Sequence, residues 1–338
     1  MLVTGVSRHL GGRFARQLTA DPSIERVIGV DVVPPRGDLG GAEFVRADIR
    51  NPIIAKVIAA ADVDTVVHMS VIATPQSAGG RSLMKEVNVI GTMQLLAACQ
   101  KARSVQRLVV KSSSTVYGAS PKDPAMFTED MEPKRLPRSG FAKDSVEVEG
   151  YVRGFSRRRP DVSVTTLRFA NCLGPGIDTP LSSYFQLPLV PTVWGFDPRL
   201  QFIHEDDLLA SLLHATVGDR PGTYNVAGDG VLLLSQAVHR AGRPTLPLLS
   251  PLVTMAGSLV RRARAIDFSP EQVNFLTYGR GVDTTRMRTM FGFEPEFTTL
   301  GTFDDFVSSR GLNRRMPPEL LEGLERQVLS AVAAVPRP

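Results

Sequence analysis

Cysteine is close to absent from this chain: Cys99 and Cys172 are the only two in 338 residues. One falls in a helical pattern and the other just after a strand pattern. A disulfide framework and a cysteine metal cluster are both excluded, no metal is expected, and a reducing cytoplasm is the simplest setting. Aromatic residues are also sparse, at 7%. Nucleic-acid surfaces interleave such rings with clustered basic residues. Here the formal charge of +5 is spread as scattered arginines, densest at Arg157–Arg159 and Arg261–Arg262, so it reads as solvated surface with no nucleic-acid role. Long apolar runs are missing too. The most apolar late stretch, Leu246 to Val260, is broken by Pro247 and Pro251 and is too short to span a bilayer. With Arg261 and Arg262 behind it, it describes a core helix with a charged end in preference to a membrane-surface helix. No leader peptide is expected, because residues 2 to 5 already read as folded structure.

What is present is enough apolar material, 43% of residues, to bury the core of one large α/β unit or two small domains. The chain is organised around its first dozen residues. Leu2 and Val3 read as a short buried strand, Thr4 and Gly5 start a tight turn, and Gly11 and Gly12 sit where a helix carrying Phe14 and Leu18 begins. Such a turn aims backbone N–H groups and a helix N-terminus at one point, which suits a pyrophosphate. The next apolar run, Arg26–Asp31, ends on a carboxylate about twenty residues beyond the turn. A carboxylate there accepts from adenosine ribose hydroxyls and repels a 2′-phosphate, favouring NAD over NADP. In the usual Gly-x-x-Gly-x-x-Gly spacing the middle glycine would be residue 8, which is Arg8. Its side chain either covers the cofactor phosphates or leaves for solvent.

Further strands follow at regular intervals. Glu43–Ile49 ends on Asp48 and Ile49: the carboxylate is placed either to accept from an adenine amino group, with Ile49 over the ring face, or to cap the helix after Asn51 and Pro52. Asp64–Ser70 ends on His68, Met69 and Ser70 at the carboxyl edge, where ligands of open parallel sheets lie. A helix from Leu83 to Lys101 carries Val87, Ile90, Leu95, Leu96 and Ala98 at helical spacing; its Asn88 is either a satisfied polar residue or one that holds a water at the site. Arg107–Ser112 opens into Ser113, Ser114 and Thr115, three hydroxyls that packing does not explain. Val162–Arg168 is a sixth strand. Strands alternating with helices predict an α/β fold, a doubly wound parallel Rossmann sheet with a smaller α/β substrate domain.

In order and spacing these segments resemble an extended short-chain dehydrogenase/reductase of the NAD-dependent epimerase/dehydratase family, of the UDP-glucose 4-epimerase-like kind. The resemblance rests on Thr4-Gly5, Asp31, Asp48-Ile49, His68-Met69-Ser70, Asn88-x-x-Gly91-Thr92, Ser112-Ser113-x-x-Val116-Tyr117-Gly118 and Leu167-Arg168-x-x-Asn171-x-x-Gly174-Pro175-Gly176. It continues through Phe202-Ile203-His204-x-x-Asp207-Leu208, Tyr224-Asn225-Val226 and Asp283-x-x-Arg286-x-x-x-x-Phe291-Gly292. It implies NAD as cofactor, held by Gly5, Arg8, Gly11, Asp31, Asp48, Ile49, His68, Met69, Ser70 and Asn88. It implies a nucleotide-sugar or related small molecule as ligand, with Asn171 at its phosphates or sugar unless Asn171 is a plain turn residue, and Ser113 as the catalytic hydroxyl. A homodimer through the helices at 83–101 and 141–154 is a further implication. The domains expected are an NAD-binding Rossmann domain over 1–171, a substrate-binding region over 172–316 from which part of 200–230 returns to the sheet, and a tail helix over 317–338. Tyr184, Phe185, Trp194 and Phe196 fall in the substrate lid, Asp206 and Asp207 read as caps for a helix from Leu208, and Asp283 to Phe306 reads as the end of the small domain.

The catalytic pattern breaks at one place. In the family a Tyr-x-x-x-Lys pair, one helical turn apart and so on one helix face, supplies the proton-transfer group and the cation beside it. Here the matching helix places Phe141 at the Tyr position and Ser145 at the Lys position. Phe141 has no ionisable proton, and Ser145 has no charge to depress a neighbour's pKa. A shifted register, Ser139-x-x-x-Lys143, restores a lysine but offers only an aliphatic hydroxyl as base. Tyr117 and Tyr151 read as core or surface aromatics, and Glu129 is a further candidate base. Losing a positioned general base costs about 10² to 10⁴ in rate. Two functions stay open: an NAD-dependent epimerase/dehydratase-type enzyme with another base, or a non-catalytic NAD(H)-binding sensor or scaffold.

Overall fold

The computed structural model describes residues 1–73, 79–134, 136–137, 140–249 and 269–312; the expected tail helix, Ser139 and most of the Leu246–Val260 stretch lie outside them. In chain order the first half runs β1 (Leu2–Thr4), α1 (His9–Thr19), β2 (Ile28–Asp31), β3 (Glu43–Arg46), α2 (Ile53–Ala60) and β4 (Thr65–His68). A long helix follows as α3 (Arg81–Lys85), a π-helical turn (Glu86–Gly91) and α4 (Thr92–Lys101), then β5 (Arg107–Ser113), α5 (Gly140–Arg158) and β6 (Ser163–Phe169). Strand runs this apolar, flanked by helices on both sides, are what a fully covered parallel sheet requires.

The second half contains β7 (Asn171–Leu173), α6 (Pro180–Phe185), β8 (Val190–Val193), β9 (Arg199–Leu200), β10 (Phe202–His204), α7 (Glu205–Val217) and β11 (Gly222–Val226). It closes with β12 (Leu232–Leu233), α8 (Leu234–Arg240), β13 (Thr245–Leu248), α9 (Pro270–Tyr278), α10 (Thr285–Thr289) and α11 (Thr299–Ser309).

Seven strands pair in the order β11-β6-β5-β4-β1-β2-β3, all parallel. The sheet is the doubly wound α/β fold expected. One face is covered by α2, α4 and α5 through Ile54, Ile58, Leu95, Leu96, Val148, Val152 and Phe155. The other is covered by α1 and α7 through Phe14, Leu18, Leu208 and Leu212. A separate core built on Tyr184, Phe185, Phe202, Phe303 and Phe306 holds the smaller lobe.

Three local expectations change. The segment from Asp283 splits between lobes: Met287 and Phe291 pack into the sheet core, while Phe303 and Phe306 stay with the small lobe. Tyr184 and Phe185 are core residues of that lobe, whereas Trp194 and Phe196 are exposed. Finally, α7 starts at Glu205 with His204 as its cap, accepting from the Asp206 N–H. Asp207 instead accepts from the N–H groups of Glu296 and Phe297, tying the late chain to the first turn of α7.

Candidate functional site

The turn between β1 and α1 has two glycines it cannot replace. Gly5 has φ +84°, a conformation a side chain resists, and a Cβ on Gly11 would overlap the Gly5 carbonyl oxygen. Position 8 carries no such demand: Arg8 is extended, φ −91° and ψ 155°. The arginine at the middle-glycine position therefore costs no backbone strain. Its guanidinium is substantially desolvated, which lowers its pKa, and it feels the carboxylate of Asp31. The residue is only partly exposed.

Asp31 ends β2 as expected. Its Oδ2 accepts from the Ser7 backbone N–H at 3.0 Å and hydroxyl at 2.6 Å, and its Oδ1 from the Val32 N–H at 2.7 Å. The carboxylate is thus oriented by the Gly turn itself. Asp48 is held differently. Both of its oxygens are clasped by the Arg50 guanidinium at 2.6–3.0 Å, and Oδ1 also accepts from the Arg50 N–H. The Arg50 hydrogen bonds hold this carboxyl below the usual range despite partial burial. Asp48 therefore serves Arg50, with no hydrogen bond to the α2 terminus, where Asn51 Oδ1 takes the Ile53 N–H. Ile49 packs under Gly91, where a Cβ would come within 2.8 Å of its Cδ1.

Behind the turn, His68 ends β4 fully buried. The bonds around it admit one proton arrangement. The Thr92 hydroxyl donates to the Asn88 carbonyl at 2.5 Å, so the 2.8 Å contact with His68 Nε2 needs the ring N–H as donor. His68 Nδ1 is then bare and accepts from the Thr4 hydroxyl at 2.9 Å, whose oxygen takes the N–H groups of Met69 and Ser70. Burial, helped by the charge of Lys111, pushes the His68 pKa down to about 4. His68 is a neutral strut that fixes Met69 and Ser70 against β1. Asn88, on the π-helical turn, accepts from the Ile72 N–H at 2.7 Å and donates to the Ile72 carbonyl at 2.9 Å. Its amide also reaches Asp144 at 3.2 Å. It clamps the loop after β4 and joins it to α5.

At the end of β5, Ser113 Oγ accepts from the Thr115 N–H at 3.2 Å and its side chain stays partly exposed. The neighbouring Ser112 faces the other way and donates to Glu149 of α5 at 2.5 Å. On α5, Ser145 is buried and its hydroxyl donates to the Phe141 carbonyl at 2.9 Å, satisfied within its own helix. Lys143 is turned outward, 3.8 Å from Glu147. Between them Asp144 is fully buried and takes a two-pronged ion pair from Arg81 at 2.6 and 2.7 Å.

The other tyrosine and carboxylate candidates are locked elsewhere. Tyr117 is buried, stacked on Phe127 with ring centroids 4.6 Å apart, and its hydroxyl donates to Asn225 while accepting from Arg168. Burial raises its pKa. Tyr151 is exposed on α5. Glu129 accepts from the Asn225 N–H. Asn171 opens β7, which pairs with β10, and so stands in a short strand and not in a turn.

Three residues near the site escape reading from sequence patterns. Glu205, buried at the start of α7, binds His9, Arg13 and the Gly176 N–H, bringing the Gly174–Gly176 loop onto the start of α1. Arg81 pairs with Asp144 across a gap of 63 residues that no local period reports. Lys111 directly follows the buried run Leu108-Val109-Val110; a lysine in the middle of so apolar a strand was the available signal.

A Gly turn at a helix N-terminus, an acid closing the second strand and a hydroxyl cluster at the end of the fifth define a dinucleotide-binding two-lobed α/β protein. The chain belongs to the NAD-dependent epimerase/dehydratase family, whose model matches residues 1–227. It is 50% identical over 329 residues to the uncharacterized protein Rv0501 of Mycobacterium tuberculosis, a match covering 96% of this chain and 88% of that one. Among solved structures it is similar in fold to MoeE5 in complex with UDP-glucuronic acid and NAD. That match has a TM-score of 0.71 at 21% identity and covers 92% of this chain and 98% of the other. It is likewise similar to a UDP-glucose 4-epimerase of Thermotoga maritima bound to UDP-glucose, with TM-score 0.70, 18% identity and the same coverage. The cofactor of the family is NAD, and the turn fits it: Gly5 and Gly11 let the turn close tightly at the start of α1, and Asp31 is pre-oriented by Ser7.

Proposed function

We propose that this protein holds NAD(H) together with a nucleotide-sugar or related diphosphate ligand, and that it does not run the Tyr/Lys proton transfer of its family. NAD supplies a hydride acceptor when bound; the chain's own residues decide whether a proton can leave at the same time. Gly5, Gly11 and Asp31 seat the dinucleotide, His68 and Asn88 fix the strand ends beneath it, and Ser113 offers a hydroxyl at the reacting edge. The observation that carries the reading is the start of α5, where Phe141 brings no proton acceptor and the Ser145 hydroxyl is spent on the Phe141 carbonyl. Tyr117, four residues after Ser113, is held by two hydrogen bonds in the core with its pKa raised, and Tyr151 is exposed on α5. A sensor or scaffold that reads cofactor or metabolite is the function consistent with a kept cradle and a missing base.

Leu83, Ile90 and Met93 on the long helix and Tyr151 on α5 are exposed apolar residues, which supports a homodimer through these helices. No helix among the described residues is long and apolar enough to cross a membrane.

The test pairs binding with turnover. NAD and NADH are titrated into the purified protein, then UDP-sugar turnover is compared between the natural chain and the double variant Phe141→Tyr/Ser145→Lys. Binding without turnover, with turnover gained at least 10²-fold in the double variant, supports the reading. Rapid turnover by the natural chain ends it.

A further inference from the structure

Arg280 is a cation that the proposed function leaves without work. It directly follows Gly279 at the end of α9, a helix whose Val273, Phe275 and Leu276 belong to the core of the smaller lobe. Its backbone is tied on both sides: its own N–H donates to the Arg199 carbonyl of β9 at 3.1 Å, and the next carbonyl, that of Gly281, accepts from the Phe127 N–H at 2.9 Å. From there the side chain crosses to the turn that follows β5. Its Nε–H donates to the Ser114 hydroxyl at 3.2 Å and its Nη1 to the Gly118 carbonyl at 2.8 Å, and the guanidinium carbon lies 5.0 Å from the centre of the Phe275 ring. Ser114 is the residue next to Ser113, so the guanidinium stands beside the hydroxyl cluster at the reacting edge.

Each of these partners is neutral. Arg280 forms no ion pair among the described residues, whereas Arg81 and Arg168 are gripped by Asp144 and Glu149 at 2.6–2.7 Å. Asp123 acts on its charge from further off and spends its two oxygens on the Ser120 N–H and hydroxyl. The Nη2 amino group of Arg280 makes no hydrogen bond among the described residues, and the side chain is partly exposed. Burial is the largest influence on its pKa and brings it down to about 10, so it is still a cation at neutral pH. An aromatic face beneath a guanidinium fixes its plane without neutralising it. The N–H groups left over match the two oxygens of a carboxylate, and partial desolvation makes that pairing stronger than at an open surface. The position selects among anions. A sugar on which Ser113 acts has its ring over Ser113, and a cation one residue further on then meets the substituents of that ring. A ring bearing only hydroxyls offers it neutral oxygens; a ring bearing a carboxylate supplies the counter-ion.

We propose that Arg280 is a specificity-determining residue that selects a nucleotide sugar carrying a carboxylate, a uronic acid, and holds that carboxylate beside Ser113 and Ser114. The selection deepens the reading of the groove as a nucleotide-sugar site and rests on it.

The experiment is Arg280→Met, which keeps an unbranched apolar stem and removes the charge. UDP-glucuronate, UDP-glucose, UDP and NADH are titrated separately into the natural protein and the variant. The selection predicts that the natural protein holds UDP-glucuronate about tenfold or more tighter than UDP-glucose. It predicts that the variant loses this difference while its affinities for UDP-glucose, UDP and NADH stay within about threefold of the natural values. Equal affinity of the natural protein for the two sugars overturns it, and so does a preference that survives in the variant. A variant weakened by the same factor for all three UDP ligands also overturns it, because Arg280 then contacts the diphosphate; the nucleotide-sugar reading stands in each of these cases. A natural protein that binds NADH but none of the UDP ligands overturns the selection and the nucleotide-sugar reading together. If the variant does not fold, phenylglyoxal modification of the natural protein, mapped by mass spectrometry, decides: Arg280 shielded by UDP-glucuronate and not by UDP-glucose supports the selection, and equal shielding by both, or none, refutes it.

Discussion

The two ends of the site have diverged in opposite ways. At the Gly turn one of three expected glycines is gone, yet the geometry survives, because Arg8 occupies an extended conformation open to any residue. At the start of α5 the family's Tyr and Lys are replaced, the helix survives equally well, and on the proposed reading the proton-transfer chemistry does not: Phe141 and Ser145 have nothing to titrate. A cradle made of backbone tolerates substitution wherever φ is ordinary, whereas a proton-transfer pair lives entirely in its side chains. Binding and catalysis can therefore part company in one chain with no trace in the fold.

The largest expected effect tests whether α5 is still anchored as firmly as the turn. Arg168 on β6 donates to Glu149 of α5 at 2.7–3.2 Å and to the Tyr117 hydroxyl. Burial opposes its charge, and the Glu149 hydrogen bonds more than compensate, raising its pKa. Arg168→Met leaves Glu149 buried with only the Ser112 hydroxyl and the exposed Arg153, 3.7 Å away, as partners. It should cost about 3 kcal/mol in urea or thermal unfolding, toward the low end for a broken buried pair. Lys143→Met, which breaks only the outward pair with Glu147, should cost less than about 0.5 kcal/mol. Equal costs would mean that α5 is loosely seated, and the comparison with the turn would fail.

A second, intermediate effect probes the floor that both ends share. His68 has a folded pKa of about 4 against an ordinary 6.5, so between these values the unfolded chain binds the extra proton. Stability then rises with pH across this window: the contribution is whole above about 6.5 and is lost progressively as pH falls toward 4. At pH 5 the loss should be about 2 kcal/mol relative to pH 7.5. Unfolding curves at the two pH values check it, and His68→Gln should flatten the difference. A natural protein equally stable at both would show that His68 is protonated in the fold and that the Thr4-His68-Thr92 proton order is wrong.

The fold was legible because its signals are local. Apolar runs ending on Asp31, Ser70 and Ser112 place three strands of the sheet to within two residues, and the glycines of the first turn place the start of α1 at Gly11–Gly12, where the helix begins at His9. The absence of a Tyr/Lys pair was equally visible, since four-residue spacing is a sequence property. What stayed hidden depends on contacts between distant segments. Asp48 could be read as an adenine acceptor or a helix cap, and Arg50, two residues away, holds it. His204, and not Asp206 or Asp207, caps α7. The segment after Asp283 has one continuous pattern but divides between two cores at Met287 and Phe303.

The smallest effect restores the family's middle glycine. Arg8→Gly removes a partly desolvated cation whose backbone is in an ordinary conformation, so folded-state strain neither appears nor disappears. Glycine costs some unfolded-state entropy, by about 0.5–1 kcal/mol, and relief of the partly desolvated charge offsets part of that, so the net change in stability should stay under about 1 kcal/mol. The ligand response is the informative part. If the groove gains its anion affinity from side-chain charge, the variant binds NADH more weakly, and the loss shrinks as salt is raised and screening weakens the arginine's contribution in the natural protein. If backbone N–H groups and the start of α1 carry the affinity alone, the glycine variant binds as well or better at every salt concentration, because a bare turn lets the phosphates approach more closely. The second outcome would make the two ends of the site alike, each having accepted a substitution that contributes nothing to ligand binding.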